Sequence, residues 1–446
     1  DNRDKVLIIG SAGRDFHNFN SYFRDNEKYN VMGFTGSQQI PGISGKKYPP
    51  ELAGKLYPQG IQIYAEEELP RLIKDLNIDF SVFSYSDVPY HHVMGIGAIV
   101  NTAGSNYMML GPRDTMLKSN KPVIAVCAVR TGAGKSQTSR KVIELLMEKG
   151  LRVVAVRHPM PYGDLVAQKV QRFADIEDLQ KHRCTIEEME EYEPHVVRGN
   201  VIYAGVDYQA ILEAAEKDPK GCDVIVWDGG NNDFPFYKPD LMITVADPHR
   251  PGHERSYYPG EICLRMADVI VINKVDSAPS EGVQTVRDNI ADMNPRAIVL
   301  EANSPIRVDD PQVIKGKRVL VVEDGPTLTH GEMRYGAGPV GAERYGAVEL
   351  VNPVSYTVGS ITETFKKYPH IGKLLPAMGY GKQQLKDLEA TINKVECDSV
   401  VVGTPINLSR IIDIKKPNTR VYYDLQETGA PNLKEVLSEF MKSHNI

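Results

Sequence analysis

Six consecutive apolar residues, Val123-Ile124-Ala125-Val126-Cys127-Ala128, run straight into Val129-Arg130-Thr131-Gly132-Ala133-Gly134-Lys135-Ser136. The apolar run reads as a parallel strand buried on both faces. The glycines permit a tight turn that no side chain obstructs, and the pattern after them predicts a helix from about Ser136 to Lys149. Unpaired amides at a helix start, together with the helix dipole, form a natural seat for a polyphosphate. Thr131, Gly132, Ala133, Gly134, Lys135, Ser136 and Gln137 are therefore candidate contacts for a nucleoside triphosphate. Lys135 would reach its β- and γ-phosphates, and the Ser136 hydroxyl would ligate Mg2+.

Such a strand–loop–helix unit needs a sheet around it, and further apolar runs supply one. Val153–Val156, Asp223–Asp228, Leu241–Val245 and Val269–Asn273 all read as buried strands. Before them, Lys5–Gly10, Val31–Thr35 and Asp79–Tyr85 read as strands, with a helix from Glu66 to Leu76 and an irregular excursion from Pro41 to Tyr64. After them come Lys317–Asp324 and Ser399–Gly403. At about 150 residues per domain, a chain of 446 residues holds two or three. The expected organisation is α/β throughout: a Rossmann-like N-terminal domain over 1–120, a central P-loop NTPase domain with a mostly parallel sheet over 121–312, and a smaller α/β region over 313–446. The acid-rich stretch Asp175–Glu193 reads as helices with a solvated face.

Open parallel sheets bind ligands at the carboxyl ends of their strands, and polar residues gather there. Asp228 ends a strand where a carboxylate can hold Mg2+ through water. Asn273-Lys274-Val275-Asp276 follows another and resembles the stretch that holds guanine in P-loop GTPases, while asparagine at this strand end also contacts adenine in some ATP-using relatives. ATP is the expected nucleotide, with GTP open. Arg157-His158 and Asp247-Pro248-His249-Arg250-Pro251-Gly252-His253 lie on the same edge. Arginine suits bidentate binding of phosphate or carboxylate, and histidine donates or carries protons. Lys135, Arg130, Asp228, Arg157, His158, His249, Arg250 and His253 thus form the candidate catalytic set. Pro251 and Gly252 disfavour the helix that would align His249 with His253 on a metal. Arg14, His17 and Asn18, after the first strand, and His330, after another, are candidate substrate contacts.

A net charge of −6 offers no broad attraction for nucleic acid or an anionic membrane. No apolar run approaches the roughly 20 residues of a membrane span, and no signal peptide is recognisable before the first strand. The five cysteines are scattered without a Cys-x-x-Cys pair, which fits a reducing cytoplasm better than disulfides or zinc. A small anionic substrate is the expected partner, and a homodimer stays open.

The glycine loop departs from Gly-x-x-x-x-Gly-Lys-Ser, because Val129 occupies the first glycine position. It resembles the Thr-Gly-x-Gly-Lys-Ser/Thr variant of dethiobiotin synthetase and related P-loop proteins. Together, Gly13–Asn20, Cys127–Gly132, Trp227–Phe234, Asp247–His253 and Glu323–Gly331 resemble the cyclic 2,3-diphosphoglycerate synthetase family, over nearly the whole chain. That resemblance implies an ATP- and Mg2+-dependent ligase closing an intramolecular pyrophosphate in 2,3-diphosphoglycerate. The alternative is a regulatory or metallochaperone-like GTPase.

Overall fold

The computed structural model describes residues 1–11, 13–36, 45–158, 163–230, 232–325, 328, 336–378 and 381–446. Three mainly parallel sheets follow one another along the chain, each covered by helices. The first orders its strands Lys47–Tyr48, Ile61–Ala65, Tyr29–Gly36, Asp4–Ile9, Phe80–Phe83, Asn106–Met108. Ile61–Ala65 falls in the stretch expected to be irregular. Its alternating exposure marks an ordinary strand that tyrosine and proline neighbours had masked.

The central sheet has nine strands, in the order Val170–Phe173, Val201–Gly205, Val153–Arg157, Val224–Gly229, Val123–Ala128, Leu241–Ala246, Val269–Ile272, Ile298–Asn303, Gln426–Glu427. Only the two outermost pairings are antiparallel. Because side chains alternate along a strand, Val123–Ala128 feeds two cores. Ile124, Val126 and Ala128 pack under the helices Lys135–Glu148 and Leu433–Ser443, while Val123, Ala125 and Cys127 face Trp227 and Tyr208. Both faces are fully buried, which explains the unbroken apolar pattern.

The third sheet orders Ile306–Val308, Asn418–Tyr423, Ser399–Val402, Arg318–Asp324, Glu349–Leu350, with Leu375–Ala377 also on Arg318–Asp324. The chain then returns to the central layer through Gln426–Glu427 and the helix Leu433–Ser443, whose Leu433, Leu437 and Phe440 are buried. A short antiparallel ribbon, Val88–Pro89 with Tyr257–Tyr258, ties the first sheet's connections to the central one.

The first half of the acid-rich stretch is a solvated face, with Asp175 and Glu177 exposed at the helix Ile176–Lys181, but the second half is not. In the helix Ile186–Val196, Glu187, Glu188, Glu190, Glu193 and His195 are all buried. The helix lies between two sheets: Glu190 accepts from Thr404 at 2.7 Å and Glu193 from the Asn407 amide at 2.9 Å, while His195 meets Asp228. Burial between layers needs such partners; the charge pattern alone gave no sign of them. The five cysteines are free. Among the described residues, no helix is long and apolar enough to cross a membrane.

Candidate functional site

The loop from Arg130 to Lys135 is held from behind. Three successive carbonyls are captured: Thr131 O by Arg250 Nη2 at 2.7 Å, Gly132 O by Lys274 Nζ at 2.6 Å, and Ala133 O by Asn273 Nδ2 at 3.0 Å. Asn232 Nδ2 adds a bond to Thr131 Oγ1 at 2.9 Å. Buried Asp247 neutralises the two cations, 2.8 Å from Arg250 and 3.7 Å from Lys274. Gly132 and Gly134 take φ of 87° and 116°, and a β-carbon on Gly134 would collide with the Asn273 amide. Asp87, Asn232 and Lys274 also hold positive φ, a cost that surrounding structure must sustain.

With its carbonyls engaged, the loop leaves its donors open. Among the described residues, the amides of Gly134, Lys135 and Ser136 meet no acceptor. They are the cap and first-turn donors of the helix Lys135–Glu148, the groups that hold an anion at a helix start. The cradle fits a phosphate chain.

Beside it stands a cluster of buried charge. Lys135 Nζ contacts the main-chain carbonyl of Asp228 and lies 3.4 Å from its Oδ1. Asp228 Oδ2 is 3.1 Å from Arg157 Nη1 and 2.7 Å from His195 Nε2. Burial disfavours the Asp228 charge, but Lys135, Arg157 and the His195 bond overcome it and hold its pKa well below the usual carboxylate range. Burial, reinforced by Arg157, lowers the pKa of Lys135. Arg157 also pairs with Glu191. Among the described residues there is no group of three or more acidic, His or Cys side chains able to hold a metal. A phosphate-bound Mg2+ needs less. The Ser136 hydroxyl is exposed at the second position of the helix, and Asp228, with both oxygens already engaged by cations, suits only a water-mediated contact.

Other candidates hold the assembly together. Arg130 is buried: its Nε donates to Asp87 Oδ1 at 2.8 Å, Nη1 lies 2.8 Å from His253 Nδ1, and its guanidinium stacks on Tyr257. It fastens the loop to the connections of the first sheet rather than pointing at a phosphate. His249 Nε2 meets Ser277 Oγ at 2.8 Å, and Gln137 is buried against Ser304. Asp276 is exposed, with Oδ1 accepting from the Ser304 amide at 3.1 Å. Asn273 and Lys274 therefore brace the loop, and within that motif Asp276 is the residue open to a base.

Arg14, His17, Asn18 and His158 are interior braces as the chain is folded. Arg14 Nε bonds Asp233 Oδ2 at 2.9 Å, Nη2 bonds Phe234 O at 2.6 Å, and its guanidinium lies over the Phe234 and Phe236 rings. The His17 and His158 imidazoles both stack nearly parallel to Phe236, at 4.0 and 4.8 Å. His17 Nε2 reaches Thr115 O at 2.6 Å, and Asn18 donates to Ser84 at 2.9 Å. Polar residues at a strand end resemble a ligand site in sequence; here another sheet's loop covers them. His330 lies outside the described residues. Sequence reasoning missed His195, Glu191 and Asp87, because each reaches the site from a distant element.

This arrangement defines a P-loop nucleotide-binding protein, and residues 219–301 match the CobW/HypB/UreG nucleotide-binding domain. The chain is 60% identical to arginine synthetase ArcE of Thermococcus kodakarensis over 441 residues, 99% of this chain and 98% of that protein. It belongs to that family. A stretch of 127 residues is 32% identical to cyclic 2,3-diphosphoglycerate synthetase of Thermococcus sibiricus, covering 27% of this chain and 28% of that one. The likeness to the cyclising synthetase, expected over nearly the whole chain, therefore spans about a quarter of it. Among solved structures, LpxK from Aquifex aeolicus in complex with ATP aligns with a TM-score of 0.43 at 11% identity, covering 78% of this chain and 97% of that one.

Proposed function

We propose that the chain is an ATP-dependent ligase that completes the guanidinium group of arginine. The observation that carries nucleotide use is the capture of the Thr131, Gly132 and Ala133 carbonyls, which frees the amides of Gly134 to Ser136 for a triphosphate. Support for the product is the full-length likeness to a protein named arginine synthetase.

Arginine differs from its ureido counterpart, citrulline, by a nitrogen in place of an oxygen. In the proposed reaction the γ-phosphoryl passes to the ureido oxygen. That O–P bond forms as the bond from γ-phosphorus to the β–γ bridging oxygen breaks, and ADP leaves. Ammonia then attacks the ureido carbon; the C–O bond breaks and inorganic phosphate departs with one of the ammonia protons. Phosphoryl transfer demands chiefly positioning and neutralisation of charge. The loop amides and Lys135 serve the phosphates, with Arg157 beside them across Asp228. Mg2+, held by Ser136 and through water by Asp228, would neutralise phosphate oxygens.

The test is direct: full-length protein incubated with ATP, citrulline and ammonium should form arginine and ADP in equal amounts. ATP hydrolysis indifferent to citrulline would sink the reading. The cyclising reaction is the second reading, favoured by the 127-residue likeness; it requires a cyclic pyrophosphate by phosphorus NMR when 2,3-diphosphoglycerate is supplied. A GTPase reading rests on the CobW-type match and on the exposed Asp276. It requires a strong preference for GTP over ATP that Asp276→Asn abolishes.

A further inference from the structure

A cavity of about 470 Å3 opens between the helices Lys135–Glu148 and Ile186–Val196. Its inner wall is built from His195 and Asn200, 5% and 2% exposed. Asn200 Nδ2 lies 2.9 Å from His195 Nδ1, and the opposite nitrogen of that ring meets Asp228 at 2.7 Å. Asn200 Oδ1 is buried and has no hydrogen-bond partner, a condition that a bound donor would relieve.

The rim carries four charges. Arg140, Glu144 and Glu148 lie along the first helix, and Arg198, close enough to act on the Arg140 charge, follows the second. None of the four is within ion-pair distance of an opposite charge among the described residues, although Arg140 and Glu144 have the i,i+4 spacing that commonly pairs. Arg140 instead donates to the Tyr423 carbonyl at 3.2 Å. Burial and the like charge of Arg198 push its pKa down to about 10, so an anion beside it would stabilise the Arg140 charge. Glu144 and Glu148 lie about 6 and about 12 Å further along the helix axis. A ligand that meets both ends must carry its carboxylate and its cation at the two ends of a chain.

We propose that this cavity binds a basic α-amino acid, its carboxylate between Arg140 and Arg198 and its side-chain cation at Glu144 and Glu148, and that occupancy reaches the phosphate site through Asn200, His195 and Asp228. The charge pattern, an anion at one end and a cation at the other, follows from the lining; the choice of an amino acid rests on the ligase reading. Its meaning as product sensing rests on that same reading, whose product is such an amino acid.

The test titrates L-arginine into the full-length protein by calorimetry and repeats the titration with Arg198→Glu and Glu144→Lys. Both positions are exposed and outside the phosphate site. Wild type should bind saturably, each variant at least tenfold more weakly, and L-arginine should shift ATP affinity at least threefold more in wild type than in either variant, since coupling between sites is reciprocal. Absence of saturable binding overturns the proposal, as does an ATP affinity that L-arginine leaves unchanged. Binding that both variants leave intact puts the amino acid elsewhere and overturns the cavity assignment while sparing the ligase reading. Cavity binding without arginine synthesis would do the reverse.

Discussion

His195 Nε2 lies 2.7 Å from Asp228 Oδ2, although they are 33 positions apart in the chain, with the buried strand Val201–Gly205 and the helix Tyr208–Glu216 between them. The histidine comes from a helix of another layer and fixes the rotamer of the carboxylate beside the phosphate cradle. Supporting groups of this kind typically change activity about 10- to 100-fold when removed. His195→Ala should lower kcat for ATP turnover by about that factor, and His195→Gln, which still donates, should lose less. Unchanged kcat in His195→Ala would show that Asp228 needs no such support.

Lys135 and the loop anchors should separate kinetically. Lys135→Ala removes the cation nearest the phosphates, and turnover should fall by at least about 100-fold. Lys274→Ala and Arg250→Ala release one loop carbonyl each and should weaken nucleotide binding about tenfold, measured with a fluorescent ATP analogue. If both anchor variants bind as wild type does, the carbonyl clamp does not organise the cradle.

The Arg14–Asp233 pair, almost wholly buried at 2.9 Å, joins the first sheet to the central one. Burial raises the Asp233 pKa despite the opposing charge of Arg14, so the lone carboxylate would be costly. Arg14→Met should destabilise the fold by about 3–5 kcal/mol. Adding Asp233→Leu should recover part of that loss. Denaturant unfolding of the single and double variants decides it; equal stability of all three chains contradicts the buried-pair account.

His253 gives a pH dependence with a definite sign. Burial first, then the charges of Arg130 and Arg250, push its pKa down to about 4 from an ordinary 6.5. Between those values the unfolded chain takes up a proton that the folded chain refuses. The stability it contributes is therefore complete above about pH 6.5 and is lost as pH falls towards 4. Partial exposure damps the effect. Unfolding free energies from pH 4 to 7 should slope less steeply in His253→Gln, which still accepts from Arg130. An identical slope refutes the assignment.

The residues themselves determined the class of this protein. A strand buried on both faces must be continuously apolar, and a loop that wraps an anion must be rich in glycine. Val123–Ala128 and Gly132–Ser136 therefore declared themselves without help from any distant part of the chain. The same local logic marked Asp228 and Asn273–Asp276 at strand ends. Tertiary structure decided which polar residues face the cradle and which hold the layers together. Arg14, His17 and His158 have the residue types of a ligand site, yet they lie stacked around Phe236. His195 sits in an acid-rich helix that looks solvated, yet reaches Asp228. Periodicity reports only the neighbours a residue has along its own element. A carboxylate's partner across two layers is chosen by packing, which no local pattern encodes.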